Sequence, residues 1–491
     1  MSGPEPQVLT RELKSLTKNT AIYSFGNIAV KGVAFLLVPL YTHYLTVYEV
    51  GIVVLLEVLE LFYSSIAALG MSNSMWRFYN PAKQAGKEAV FFSTHFVLSL
   101  VVSPIVFIFP FLFSDLIANV YLSNDESSLV RVFLIISLLG MNRIYLNSVL
   151  RILERAVPFI VLALLDFLIT IVVTIICIVS LELGIWGVAY GKLASVTLIS
   201  IVAFAFMVKN YGIHFDFKIA FESVKYGAPL TLSAVSYIVL TLSDRFFIKE
   251  LIGVAASGIY GVCYKFGMII NMIVVAPFIQ SWFPVLYRAE NAPEQRLIYQ
   301  RVGLHYIQVL TCLWFVITVA SKYTIWFATP EDYHLGISLV PVVAFAYIVY
   351  GMENIFKAGA MLANKTQQLT AIAVAMAMTN LVLNFLFISE FGLMGAAIAT
   401  VLTHVVQATC VLRLSQKHLH IPWNWRKILL IPGIGAFFCL MSVLNTADMT
   451  LEIVKDLGLF ICLPLVMILL KLISVHEIKS AGQRFFAGRP I

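Results

Sequence analysis

Charged side chains inside apolar runs are the residues of this chain whose type and spacing can do chemistry. Lys31 lies in the middle of such a run, one turn after Asn27. Glu57 and Glu60, three residues apart, share one helix face. Arg143, Asp166 and Lys192 follow in three successive runs, and Asp244 and Arg245 sit near the end of another. Lys265 is alone in its run, and Glu353 and Lys357 stand one turn apart. A charge at a bilayer centre costs about 2.5–3.5 kcal/mol on insertion scales, so such residues mark pathways or internal ion pairs. Lys31, Lys192 and Lys265 are the deep cations, while Lys357 can reach the interface along its stem.

Two chemistries fit. The acids can neutralise the cations, with Lys31 against Glu57 or Glu60 and Glu353 against Lys357. Alternatively Lys31, Arg143, Lys192, Arg245, Lys265 and Lys357 line a hydrated cavity that takes an anionic head group, since Lys and Arg are natural phosphate ligands. The two combine if a cation exchanges its carboxylate for substrate. Glu57, Glu60, Asp166, Asp244 and Glu353 are then charge partners or carriers of a coupling proton or sodium ion, because neighbouring carboxylates raise one another's pKa.

Covalent chemistry has no footing in the sequence. It holds no phosphate loop, no H-E-x-x-H and no G-x-S-x-G. His418 and His420 form only an H-x-H in a basic loop, and the six cysteines make no C-x-x-C, so neither a metal nor a disulfide is expected. Neither an enzymatic activity nor a resident cofactor is expected, beyond the coupling ion.

The elements that must position these charges are membrane spans. The chain is 491 residues, 60% hydrophobic and 12% charged, against about 25% charged in soluble domains. About 20 apolar residues cross a bilayer as a helix. The runs predict fourteen spans, near 20–42, 50–70, 89–113, 130–150, 158–180, 185–208, 224–248, 257–283, 303–325, 337–360, 369–389, 393–415, 428–446 and 453–474. The first is expected to be an uncleaved anchor. Lys and Arg concentrate in alternate loops, which places both termini in the cytoplasm. The opposite loops hold only Lys249, Lys322 and Lys455. The net charge of +7 is spread over short loops, so it reports topology and not nucleic-acid binding.

The chain also repeats itself. LELGIWGVAY (181–190) matches SEFGLMGAAI (389–398), setting Glu182, Gly184 and Gly187 on Glu390, Gly392 and Gly395. Gly51 in YEVGI aligns with Gly258 in ASGIY, and more loosely Trp76 with Trp282. The common offset implies an internal duplication of six spans each. An even number makes the two halves parallel, a transporter plan with the site between them. Gly187 and Gly191, like Gly395 and Ala399, present small residues for close helix approach. The domains expected are a cytoplasmic segment 1–19, an N-lobe 20–208, a linker 209–223, a C-lobe 224–415, two unrepeated helices within 428–474 and a cytoplasmic tail 475–491.

The segment YSFGNIAVKGVAFLLVPLYTHYLTVYEVGI with LGMSNSMWRFY resembles the start of the polysaccharide-biosynthesis (Wzx-like) flippases of the multidrug/oligosaccharidyl-lipid/polysaccharide exporter superfamily. VKYGAPLTLS, LSDRFFI, SGIYGVCYKFG, PFIQSWFPVLY and EFGLMGAAIAT extend the likeness over roughly 10–415. The resemblance implies an all-α, V-shaped fold of two six-helix lobes with alternating access, in the bacterial cytoplasmic (inner) membrane. It implies a polyprenyl-pyrophosphate-linked oligosaccharide as substrate, membrane lipid and glycan-assembly proteins as partners, and a groove for the lipid tail at spans thirteen and fourteen. The rivals are a multidrug or cation antiporter of the same superfamily, disfavoured by Lys31 in the first helix, and a membrane-embedded glycosyltransferase or polymerase, disfavoured by the short loops. A non-transporting scaffold leaves the buried charges unexplained.

Overall fold

The computed structural model describes residues 35, 37–122, 126–288, 294–444, 448–470 and 472. Among them there are helices and no strands. With no water in a bilayer core, a helix satisfies every backbone group within its own segment. Among the described residues, ten helices are long and apolar enough to cross a membrane, or eleven if one bent pair forms a single span. The protein is a multi-pass membrane protein. The first expected span lies almost wholly outside the described residues.

The chain divides into two compact units, 1–261 and 262–491. The first holds α1 (Leu37–Tyr44), α2 (Val47–Ala67), α3 (Met71–Gln84), α4 (Glu88–Leu112), the short α5 (Ser114–Ile117), α6 (Ser127–Ile152), α7 (Ala156–Ile175), α8 (Ile185–Tyr211), α9 (Phe217–Leu242) and α10 (Asp244–Leu251). Each start has a local cause. Thr46 and Glu49 form a reciprocal capping box at α2, satisfying two otherwise orphaned backbone donors. Asp216 caps α9 by accepting from the amides of Lys218 and Ile219. The expected linker is largely helical, and 212–216 alone separates α8 from α9. That stretch is fastened to α4, since the Ser93 hydroxyl donates to the Gly212 carbonyl at 3.0 Å and accepts from the His214 amide at 2.6 Å. The seventh expected span is the bent pair α9 and α10, which meet at 41°.

α11 (Val254–Gly267) runs from the first unit into the second. The second then holds α12 (Ala276–Arg288), α13 (Gln295–Ala328), α14 (Leu339–Phe356), α15 (Ala358–Leu362), α16 (Thr366–His418), α17 (Trp425–Val443) and α18 (Met449–Leu469). The two unrepeated helices are docked on α13. Gly435 of α17 lies so close that an added Cβ would sit 2.4 Å from the Thr311 side chain, and Thr318 meets Cys439 at 3.5 Å. An apolar cavity of about 690 Å³ opens between α13, α14, the second arm of α16 and α17, lined by Trp314, Phe345, Met394, Leu429 and Pro432 among others.

The repeat is visible in backbone geometry. Gly184 has φ 54° and ψ −132°, and Gly392 has φ 59° and ψ −138°. Both sit in a positive-φ conformation that L-residues with a Cβ avoid. Gly392 is the corner inside the 53-residue α16, so the eleventh and twelfth expected spans are its two arms. Beyond each corner, a Cβ on Gly187 would strike Ile178 and one on Gly395 the Phe387 carbonyl, as the expected close approach requires. The aligned Gly51 and Gly258 pack on each other, with a Cβ on Gly258 placed 2.8 Å from the Gly51 nitrogen. The tryptophan match does not extend to environment, because Trp76 is exposed and Trp282 is buried.

Gly258→Ala is expected to lose about 1–3 kcal/mol through overpacking, read as a lowered thermal unfolding midpoint in detergent. Gly433→Ala, where a Cβ meets nothing within 4 Å, is expected to be neutral or slightly stabilising.

Candidate functional site

In the first unit, α8 gathers charges from three neighbouring helices. The Lys192 ammonium lies 3.3 Å from Glu57 Oε1 and 3.1 Å from Glu60 Oε2, both on α2. It also stands over the Phe133 ring, 5.2 Å from the centroid, a cation–π position. One turn along α8, the Ser195 hydroxyl donates to the Asp166 carboxylate of α7. Asp166 receives Arg143 of α6 at 2.6 Å. Of the residues expected from sequence, Glu57, Glu60, Arg143, Asp166 and Lys192 therefore converge on one side of α8. Both ion pairs are half-buried, with side chains between a fifth and about a third exposed. Glu57 and Glu60 take Lys192 as partner, and Lys31 lies outside the described residues.

Asp244 and Arg245 form a separate, buried pair where α9 breaks into α10. Arg245 reaches Asp244 Oδ1 at 2.7 Å and the Thr241 carbonyl at 3.0 Å, and the Tyr260 hydroxyl donates to Asp244 Oδ2 at 2.7 Å. These bonds satisfy the groups exposed by the bend, so the pair acts as the internal brace of that corner.

In the second unit, Lys265 is half-buried on α11. Lys357 lies at the junction of α14 and α15 and holds Glu353 Oε1 at 2.8 Å, one turn back, as the spacing suggests. Glu353 is fully buried and also accepts from Gln407 Nε2 of α16 at 3.1 Å.

A third cluster was not legible in the sequence. Lys322, expected in an external loop, is buried inside α13 and bonds Glu452, Asp456 (2.9 Å) and the Ser442 carbonyl (2.8 Å). Lys455, also expected in a loop, lies on α18 and reaches Glu452 at 3.0 Å. The Tyr323 hydroxyl donates to Asp456 at 2.9 Å. Two cations against two acids clamp α18 to α13. The only signal was the i, i+4 spacing of Glu452 and Asp456 at the start of the last span. Among the described residues, no cluster of His, Cys, Asp and Glu could hold a metal ion, and the six cysteines are unpaired.

The family model described as "Polysaccharide biosynthesis protein" matches residues 16–290, more than half of the chain. The chain belongs to the polysaccharide biosynthesis protein family. No curated protein sequence matches it. Its fold is similar to the lipid II flippase MurJ in an inward closed conformation, with TM-score 0.70, 12% identity, and 92% of this chain and 97% of that one covered. It is also similar to a multidrug resistance MATE family transporter of the MOP superfamily. The inward-facing conformation gives TM-score 0.65 at 15% identity over 83% of this chain and 96% of that one. The outward-facing conformation gives 0.57 at 15% identity over 85% and 96%. At these identities the likeness establishes the fold, and the family's charges have to be read from this chain's own residues.

Lys192→Met removes the cation shared by Glu57 and Glu60, and is expected to cost about 3 kcal/mol. Adding Glu57→Gln and Glu60→Gln restores most of the loss. Thermal unfolding of the single and triple variants in detergent checks both.

Proposed function

We propose that this protein is a flippase that moves a polyprenyl-pyrophosphate-linked oligosaccharide across the bacterial cytoplasmic membrane by alternating access, for surface polysaccharide assembly. The proposed architecture is fourteen spans in two parallel six-helix lobes with a C-terminal pair, both termini cytoplasmic. The observation that carries the reading is the set of intramembrane cations held by nearby carboxylates. Lys192 and Lys357 have partners at 2.8–3.3 Å and side chains still about a fifth exposed. Such a cation keeps its charge through insertion and folding, and a pyrophosphate can displace the carboxylate. The bond it then makes is charge-assisted on both sides. No soluble nucleotide-hydrolysing domain is evident in the sequence, so the displaced acids are natural carriers for a coupling ion.

The apolar cavity beside α17 supports a lipid-linked substrate. Its lining is almost wholly hydrocarbon and aromatic, a surface for a polyprenyl chain while the polar head occupies the charged region. The family description and the similarity to a lipid II flippase point the same way. Membrane lipid and glycan-assembly proteins are the partners proposed.

One observation favours the second reading, a multidrug or cation antiporter. In the first unit the half-buried acids Glu57, Glu60 and Asp166 outnumber Arg143 and Lys192 among the described residues. Proteoliposomes separate the two. A fluorescent polyprenyl-pyrophosphate glycan is expected to cross with wild-type protein, and Lys192→Ala, Lys265→Ala and Lys357→Ala each to slow it at least about tenfold, with lipid-linked glycan accumulating on the inner leaflet in cells. The same assay includes Lys31→Ala. Normal translocation by all four variants, or transport of organic cations alone, would overturn the flippase reading.

A further inference from the structure

The ion pair of Glu353 and Lys357 leaves part of its surroundings unsatisfied. Glu353 Oε1 has two donors, Lys357 and Gln407. Glu353 Oε2, Gln407 Oε1 and His404 Nδ1 are all buried and have no hydrogen-bond partner. Glu353 is fully buried, His404 3% exposed and Gln407 8% exposed. His404 and Gln407 stand three apart on the second arm of α16, so they share a face. His404 lies within electrostatic reach of both Glu353 and Lys357. Buried polar groups are normally paired, and several orphans at one place call for an occupant.

We propose that Glu353, His404 and Gln407 form a proton-binding site in the second unit, and that its occupancy decides whether Lys357 is held or released. The missing element is hydrogen. Two of the three orphan atoms are oxygens with only lone pairs to offer, and the third is an imidazole nitrogen, which can accept a proton. One proton on His404 makes both ring nitrogens donors, which Gln407 Oε1 or Glu353 Oε2 can accept once the side chains rearrange. A hard metal cation fits poorly, because it takes about six oxygen ligands. Glu353 and Gln407 offer two unpaired oxygens, with the Lys357 ammonium 2.8 Å from the same carboxylate.

The charged imidazolium competes with Lys357 for Glu353. Lys357 also touches Asn354 Oδ1 at 3.3 Å and sits at the junction of α14 and α15, with its side chain about a fifth exposed. Loss of its carboxylate frees an ammonium that is already partly exposed. Tyrosine hydroxyls of three helices stand in the neighbourhood among the described residues. Tyr350 of α14 lies against His404, with centroids 5.7 Å apart. Tyr306 of α13 abuts Gly351. Tyr264 of α11, the helix that also carries Lys265, bonds Tyr347 at 2.9 Å. The inference names a proton as the coupling ion. It rests on the transport reading for its use and not for its chemistry.

The test is a ¹⁵N-histidine NMR titration of the full chain in lipid nanodiscs, over roughly pH 4 to 9. The chain has nine histidines, and His404→Asn identifies the resonance. The His404 imidazole is expected to titrate in that range. Glu353→Gln should weaken its proton affinity about tenfold by removing the opposite charge, and Lys357→Met should strengthen it about tenfold by removing the like charge. The opposite signs keep the test decisive if one variant fails to fold. In proteoliposomes, His404→Asn should lose the response of translocation to an imposed pH gradient. No titration of His404, or a midpoint indifferent to both substitutions, overturns the proposal. A midpoint that moves when sodium chloride replaces choline chloride assigns the site to a metal cation and overturns it equally. Normal titration without glycan transport leaves this site standing and counts against the flippase reading instead.

Discussion

An ammonium or guanidinium loses most of its hydration when it enters hydrocarbon, and the protein has to replace what water supplied. That constraint organises the interior of this chain. Lys192 takes Glu57 and Glu60, Arg143 takes Asp166, Arg245 takes Asp244, Lys322 takes Glu452 and Asp456, and Lys357 takes Glu353. Each contact draws helices, or parts of a helix, that are otherwise greasy and interchangeable into one arrangement. Between two lipid-soluble surfaces there is little hydrophobic driving force, so ion pairs and close backbone approach decide the packing.

The pairs differ in exposure, and the difference sorts them by task. Asp244 with Arg245 and the Lys322 cluster are almost fully buried and bonded to backbone carbonyls as well. They hold a bend and a helix pair in place, and opening either would strand a bare charge. Lys192 and Lys357 keep about a fifth of their side-chain surface exposed. In the proposed cycle those are the cations that an anionic head group takes over without first dismantling the fold. The glycine contacts supply the complementary rigidity. Gly51 on Gly258, and the matched corners at Gly184 and Gly392, fix backbones at separations that leave no room for a methyl group or demand positive φ.

Much of this architecture could be read from residue order, because bilayer thickness imposes a length on every apolar run. From the second span onward most expected boundaries fall within a few residues of observed helices; the exceptions are the bend between α9 and α10, the eighth span divided between α11 and α12, α13 starting at Gln295 instead of 303, and α16 joining two arms through Gly392. Local charge pairing was equally legible, since Glu353 and Lys357 are one turn apart. Pairing across distance was not. Lys192 and Glu60 are 132 residues apart, and no periodicity links them. Lys322 and Lys455 were assigned to loops because they lie past the most apolar stretch of their helices, where the helix continues and a partner is waiting. His404 drew no notice as one histidine in a long apolar run; its meaning comes from Glu353 on another helix.

The central claim is that the partly exposed cations are held by internal carboxylates until a phosphate replaces them. Isotope-edited infrared difference spectroscopy reads that exchange directly, on reconstituted protein with and without a polyprenyl pyrophosphate. The account predicts a carboxylate band that shifts when the lipid binds and disappears from the difference spectrum in the Glu57→Gln, Glu60→Gln variant. Saturable binding of the lipid with no change in any carboxylate band would contradict it.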